Sequence, residues 1–310
     1  MVVGFMALAA ALGVEQAVAV YEAGRVGEAQ AAFAEIVRAG PADAEALAWL
    51  AAAELENTGD AGAAEQLLER ALRLDPQSWR AHMLLGVALA KRINSVSIFA
   101  KISLANRLKG EMERAVELAP DSADARAALM QFYLHAPAIA GGGSKKARAQ
   151  AAEITRRHPF DGFIAQGLVQ AYVGEDAAPS FRQAAQLAKN DRDRARALAD
   201  LGKLRVAQKR PVESLPFFRE AAAVRPRDPL ILVDLGEGHL AAGDPYSAAA
   251  SFRTAADLDS RLASPWRGLG RALAQAGRKT EARAAYEQFL HLAPRHERSE
   301  EVRKHLEELR

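Results

Sequence analysis

The 310-residue chain has no cysteine. That excludes disulfides, thiolate metal sites and cysteine nucleophiles, and it is neutral about compartment. Nor is there an excess of one charge: 41 basic side chains face 39 acidic ones, a formal net charge of +2. General nucleic-acid binding usually shows a strongly basic face, and this balance gives no reason to expect one. β-Branched runs are rare, and glycine mostly sits between stretches of helical periodicity. What remains is abundant alanine and 50% apolar residues. This is the composition of an all-helical protein able to bury a large or continuous core.

Long apolar runs are scarce as well. Residues 2–13 form one uncharged stretch of about signal-core length, too short to read as a transmembrane span. Ala11-Leu12-Gly13 or Ala17-Val18-Ala19 offers small residues for cleavage, although no Lys or Arg precedes the run. Residues 1–13 therefore read either as a leader or as a buried first helix. The expectation taken is the leader, which places the protein in the periplasm or cell envelope; without it the location is cytoplasmic.

What the chain does have is a period. Leu201-Gly202, Leu235-Gly236 and Leu269-Gly270 follow one another at steps of 34 residues. Phe218, Phe252 and Tyr286 repeat the step, as do Ala221, Ala255 and Phe289. Trp266, Leu269, Gly270 and Leu273 lie on one helical face. Glycine there lets a second helix approach closely. Gly277 supplies a left-handed helix stop. Ala282, Tyr286 and Phe289 face back, and Pro294 ends the unit. Helices of about a dozen residues are marginal alone in water, so stacking on neighbours is obligatory.

These residues resemble the tetratricopeptide repeat, W-x-x-L-G-x-x-(Y/L), A-x-x-x-(F/Y), P. Earlier units are looser but carry parts of it: Ala29, Phe33 and Pro41; Ala64, Leu68, Ala71 and Pro76; Leu85-Gly86, Ala115 and Pro120; Leu129, Tyr133, Ala147, Ala151 and Pro159; Gly167, Phe181 and Ala184. The resemblance implies an all-α, right-handed superhelical solenoid of about eight helix-turn-helix units over 10–296. Their bounds are about 10–43, 44–77, 79–122, 123–159, 160–194, 195–228, 229–262 and 263–296. In the tail 297–310, Val302, Leu306 and Leu309 form one stripe among charges, the mark of a capping helix.

Two units exceed the period. The excess of the third lies in 91–110, where Ile98, Ile102, Ala105 and Leu108 keep helical spacing, so its second helix begins early. The excess of the fourth lies in 135–150. Together these segments resemble a subset of uncharacterised bacterial tetratricopeptide proteins, a likeness that brings no activity with it. Both insertions fall between the first and second helices of adjacent units and should touch, Ile139 packing on Ile98 and Phe99. Lys91, Arg92, Lys101, Arg107 and Lys109 gather there. Gly141, Gly142 and Gly143 precede Ser144, a good N-cap, then Lys145 and Lys146. A glycine loop running into a helix start beside lysines is an anion-binding arrangement, with Lys91, Arg92, Gly142, Gly143, Ser144, Lys145 and Lys146 as its candidate residues. It lacks the phosphate-loop motif, which argues against nucleotides. Its bland alternative is a turn with a solvated rim.

No catalytic signature appears. The seven histidines are scattered, without an i, i+4 pair and acidic third ligand. His239 falls near Asp234 and Glu237, where a charged groove explains it more simply than catalysis. There is no G-x-S-x-G, no dinucleotide fingerprint and no segment left over for a catalytic domain. The reading is a non-enzyme without cofactor or metal that binds another protein. In this family first helices line the concave side, and the resemblance places Met83, Val87, Gln131, Ile164, Leu168, Arg196, Lys203, Glu237, Arg267 and Arg271 on it. The earlier of these are mostly apolar, the later mostly charged, which suits a peptide or amphipathic helix with salt-sensitive encounter. The apolar part could instead be covered by the chain's own N-terminal segment or by a second copy in a homodimer. The family's clamp for terminal carboxylates does not fit: Val14, Val18, Ala48 and Ala52 stand in the first two units, and Lys203 and Arg271 alone do not rebuild it. The alternative function is a small-ligand or anion receptor at loop 141–146.

Overall fold

The structure, a computed structural model, describes residues 13–39, 43–93 and 98–309; of the leader segment 1–13, residues 1–12 lie outside them. The described residues form α-helices and two 3-10 turns, with no strand among them. They fall into two compact units, one closing at His158 and one opening at Pro159. The first contains α1 (Val14–Glu22), α2 (Val26–Ala39), α3 (Ala44–Asn57), α4 (Ala61–Leu74), α5 (Trp79–Arg92), α6 (Ile98–Leu118), α7 (Ala123–His135) and α8 (Ser144–Arg157). The second contains α9 (Pro159–Tyr172), α10 (Ala178–Leu187), α11 (Asp191–Ala207), α12 (Leu215–Val224), α13 (Pro229–Ala241), α14 (Pro245–Leu258), α15 (Ala263–Gln275), α16 (Lys279–Leu292) and α17 (Ser299–Glu308). Consecutive helices pack as antiparallel hairpins, and hairpins stack on hairpins within each unit. The architecture is an all-α helical-repeat solenoid.

Local chemistry sets the helix ends. Side-chain oxygens of Asp43, Asp60, Ser78, Ser122, Asn190, Asp228 and Asp244 accept from first-turn amides. The first helices α1, α3, α9, α13 and α15 stop at one left-handed glycine, whereas α5 and α7 end without one. Gly24, Gly59, Gly174, Gly243 and Gly277 take φ between 71° and 83°. After all of these but Gly59 the next amide reaches the carbonyl five residues back, as Arg278 N–H does to Leu273 O at 2.9 Å. After α11 the same place is taken by Lys209, at φ 60°.

The glycines of the repeat are where helices touch rings. A methyl group on Gly202 or Gly238 would lie 2.7 or 2.5 Å from the Phe218 ring. Phe252 is held the same way by Gly236 and Gly268, at 2.7 and 2.4 Å. Each ring thus sits between a glycine of its own hairpin and one of the next. In the first unit the partners change: Gly86 faces Met112, not an aromatic. Met130 follows the cap Ser122 by eight residues, as Gly86 follows Ser78 and Gly236 follows Asp228. Ala151 follows the cap Gly143 by eight, as Phe252 follows Asp244. Both Met130 and Ala151 are buried. At the C-terminal end Val302 is buried beside Tyr286, Phe289 and Ala293, with Leu306 and Leu309 packed on them, so α17 seals the last hairpin.

The long third hairpin owes its length to α6, 21 residues against 14 in α4 and α8. Its neighbour is the 3-10 turn η1 (Ala138–Ala140), which α6 touches. The contact differs from the expected one. Ile139 is 86% exposed, its side chain turned mostly to solvent. The side chains of Ile98 and Phe99 lie outside the described residues. The junction is made instead by Lys109, whose aliphatic chain lies against Gly141.

Candidate functional site

Within each unit, successive first helices approach one another: α1 with α3, α3 with α5 and α5 with α7; then α11 with α13 and α13 with α15. Successive second helices do not come comparably close. Each stack therefore curves with its first helices on the inner side, and their outward-facing residues form the candidate surface.

On the second unit this surface is a ladder of ion pairs. Arg196 on α11 reaches Asp161 on α9 at 3.6 Å and Asp200 at 3.9 Å. Lys203 stands between Asp200 at 3.6 Å and Asp234 on α13 at 2.9 Å. Arg271 on α15 holds both oxygens of Glu237 at 2.9 and 3.0 Å. Burial raises the pKa of Asp200 and of Asp234, with Lys203 opposing. Burial alone would lower that of Lys203, but the two aspartates outweigh it and raise it. Arg267, one turn before Arg271, makes no hydrogen bond or ion pair among the described residues. Burial lowers its pKa, Glu237 opposes, and Arg271 and Arg298 add to the lowering.

On the first unit the same surface is aromatic. The Tyr21 hydroxyl donates to Glu56 at 2.5 Å, and burial followed by that carboxylate raises its pKa strongly. Its ring meets Trp49 edge-on at 5.5 Å. The Arg80 guanidinium lies 4.6 Å from the Trp49 ring and 4.9 Å from that of Trp79. The Trp49 Nε1–H is buried without an acceptor among the described residues. Met83 and Val87 are half-buried on α5, and Gln131 on α7 bonds to His135.

Several expected positions move. Ile164 is only 6% exposed and packs with Phe181 and Leu201, so it belongs to the core; Leu168, 38% exposed, does face out. Ala48 is fully buried, whereas Trp49 and Glu56 line the surface. His239 is 6% exposed and turned to Asp244, 3.7 Å away, not to a charged groove. Tyr21, Trp49 and Arg80 were missed. Counting back from Ala71 and Pro76 shifts the second unit by one residue and brings Trp49 onto the inner face.

The glycine loop is also corrected. Gly143, not Ser144, is the N-cap of α8, and no side chain caps it. The Gly143 amide is bound to Tyr133 O at 2.7 Å and the Gly142 amide to Pro137 O at 3.2 Å. A side chain on Gly142 would collide with Ala136 O. Lys146 donates to Gly141 O at 2.7 Å and lies over the Tyr133 ring. Lys91 donates to Leu55 O at 2.6 Å, and Arg92 pairs with Glu65. Of the donors expected to hold a small anion, the Gly142 and Gly143 amides, Lys146, Lys91 and Arg92 are bound within the chain. Among the described residues no group of three or more His, Asp or Glu could hold a metal ion.

Stacked helical hairpins with a first-helix inner face define a helical-repeat protein. Residues 20–86 and 233–297 each match a tetratricopeptide repeat family model. The chain is a tetratricopeptide repeat protein. No curated protein matches it. Similar solved structures include a chain of the APC/C hetero-tetramer Cut9–Hcn1, 13% identical over 94% of this chain, TM-score 0.46. This chain covers 54% of that one, about half its length. Another is YrrB, described as a TPR protein with an unusual peptide-binding site, 14% identical over 76% of this chain and 97% of its own, TM-score 0.35.

Proposed function

We propose that the protein is a non-enzymatic adaptor that holds a peptide or helix of a partner protein against its first-helix faces. The observation that supports this reading is Arg267. On the second unit's inner face every other charged group on the ladder has its counter-charge, while this guanidinium is half-buried, crowded by Arg271 and Arg298, and unpaired. A desolvated cation gains most from a carboxylate brought by a ligand. On the same unit the exposed Leu168 supplies apolar contact area, and the ladder fixes register.

The test is selection of peptides from a displayed random library on the full chain, followed by affinity measurement. Selected peptides should carry a carboxylate and bind at about micromolar strength. Arg267→Glu should weaken them by tenfold or more, on the scale of a lost charge-assisted bond. Arg283→Glu, on second helix α16, should not. Peptides that bind both variants equally would end this reading.

A further inference from the structure

Independently of the inner face, we propose that one edge of the first unit docks on an anionic membrane surface, with Ile139 and Ile102 entering the headgroup layer and Lys101 and Lys145 facing the lipid charge. The edge is made by the start of α6 and by loop 136–146. Ile139 is 86% exposed and Ile102 is 54% exposed. Ile102 precedes Lys109 by seven residues, two helical turns, so it shares that residue's face about 10 Å further along the axis. Lys109 lies against Gly141, which places Ile102 on the side of α6 that the loop adjoins.

The loop is built to present Ile139 firmly. Ala140 N–H is bound to Pro137 O at 2.9 Å, Gly141 N–H to Ala138 O at 2.9 Å, and the Gly142 and Gly143 amides are bound as described above. Lys146 closes the Gly141 carbonyl from outside, and Ala140 is buried beneath. A tip with the amides of residues 140–143 already paired leaves fewer groups unsatisfied on entering a region poor in water.

Charge points to the occupant. Lys101 and Lys145 make no ion pair or hydrogen bond among the described residues. The nearby carboxylates are engaged: Glu111 by His82, Glu113 by Lys109 and the Tyr133 hydroxyl, Glu65 and Glu69 by Arg107. Separate apolar tips between unpaired lysines suit a fluid interface better than a shaped protein pocket, which would need one contiguous patch. Among the described residues no helix is long and apolar enough to cross a membrane, so contact would be peripheral.

Vesicle flotation of the full chain at low salt tests this. The protein should float with vesicles of phosphatidylcholine mixed with phosphatidylglycerol, stay down with phosphatidylcholine alone, and release as salt rises. Lys101→Glu with Lys145→Glu should lower partitioning by about fivefold or more per lysine. Ile139→Ser with Ile102→Ser should abolish flotation, whereas Leu74→Ser, on the end of α4, should leave it intact. Unchanged thermal unfolding of each variant would separate docking from folding. No flotation of the wild type with the anionic vesicles, or equal flotation of all variants, would overturn the proposal. So would concentration-dependent self-association relieved by the isoleucine changes, which would make this edge a contact between copies.

Discussion

The two compact units differ in one hairpin joint, which the first unit fills from the side opposite to that used throughout the second. In the second unit the first helix gives way, with glycine at 167, 202, 236 and 270, and the second helix supplies Phe181, Phe218, Phe252 and Tyr286. In the first unit the joint is Gly86 with Met112, and then Met130 with Ala151, where bulk has crossed to the first helix. The repeat therefore constrains the combined volume of the two positions more than the residue at either. The inner faces diverge in parallel: one carries aromatic rings stacked on Arg80, the other a ladder of ion pairs ending at Arg267.

The sharpest way to break this comparison is to remove a ring that two glycines enclose. Phe252→Ala should cost about 3–5 kcal/mol, because neither glycine has a side chain to fill the space. Urea denaturation of the full chain measures it, read on the transition of the second unit. A loss under about 1 kcal/mol would show that α14 can collapse onto α13 and α15, and that the rings are not what spaces these hairpins.

The exchange of bulk in the first unit can be tested directly. Met130→Gly should cost about 2–5 kcal/mol through the cavity and the helix glycine, and Ala151→Phe about 1–3 kcal/mol through overpacking. Together they restore the arrangement of the second unit, so the double variant should lose less than the sum by about 1 kcal/mol or more. Simple additivity would mean that Met130 and Ala151 do not share one joint.

Much of this was legible in sequence where the residues are distinctive. Leu-Gly pairs and aromatics at 34-residue steps locate the hairpins of 195–296, and Gly277 is the helix stop it was read to be. The second role of Gly238 and Gly268 was not legible, since their rings belong to the preceding hairpin, 20 and 16 residues away. The inner face of α3 was misplaced by one residue because Ala46, Ala48, Ala51, Ala52 and Ala53 offer no contrast between faces. A run of small residues has little amphipathic signal, so only the tertiary partner fixes the register. Ile164 was assigned outward by its repeat position. Phe181 meets Gly167 after 14 residues, where Phe252 meets Gly236 after 16, and Ile164 lies in the same cluster as Phe181.

The smallest expected effect sharpens the comparison at the turns. The second unit, more regular in its core, departs from the pattern after α11, where Lys209 adopts the left-handed conformation that glycine holds at Gly174, Gly243 and Gly277. A side chain there costs about 1–2 kcal/mol, and glycine in exchange loses about 0.5–1 kcal/mol through its freer unfolded chain. Lys209→Gly should then stabilise the second unit by roughly 0.5–1 kcal/mol. Lys209→Ala keeps the clash without the gain and should be neutral or slightly destabilising. The check is a rise in the denaturant midpoint at constant slope for glycine alone. If alanine and glycine behave alike, the φ of 60° at this turn carries no strain, and the Arg210 amide bond to Arg205 O at 2.9 Å closes the helix equally well with any residue before it.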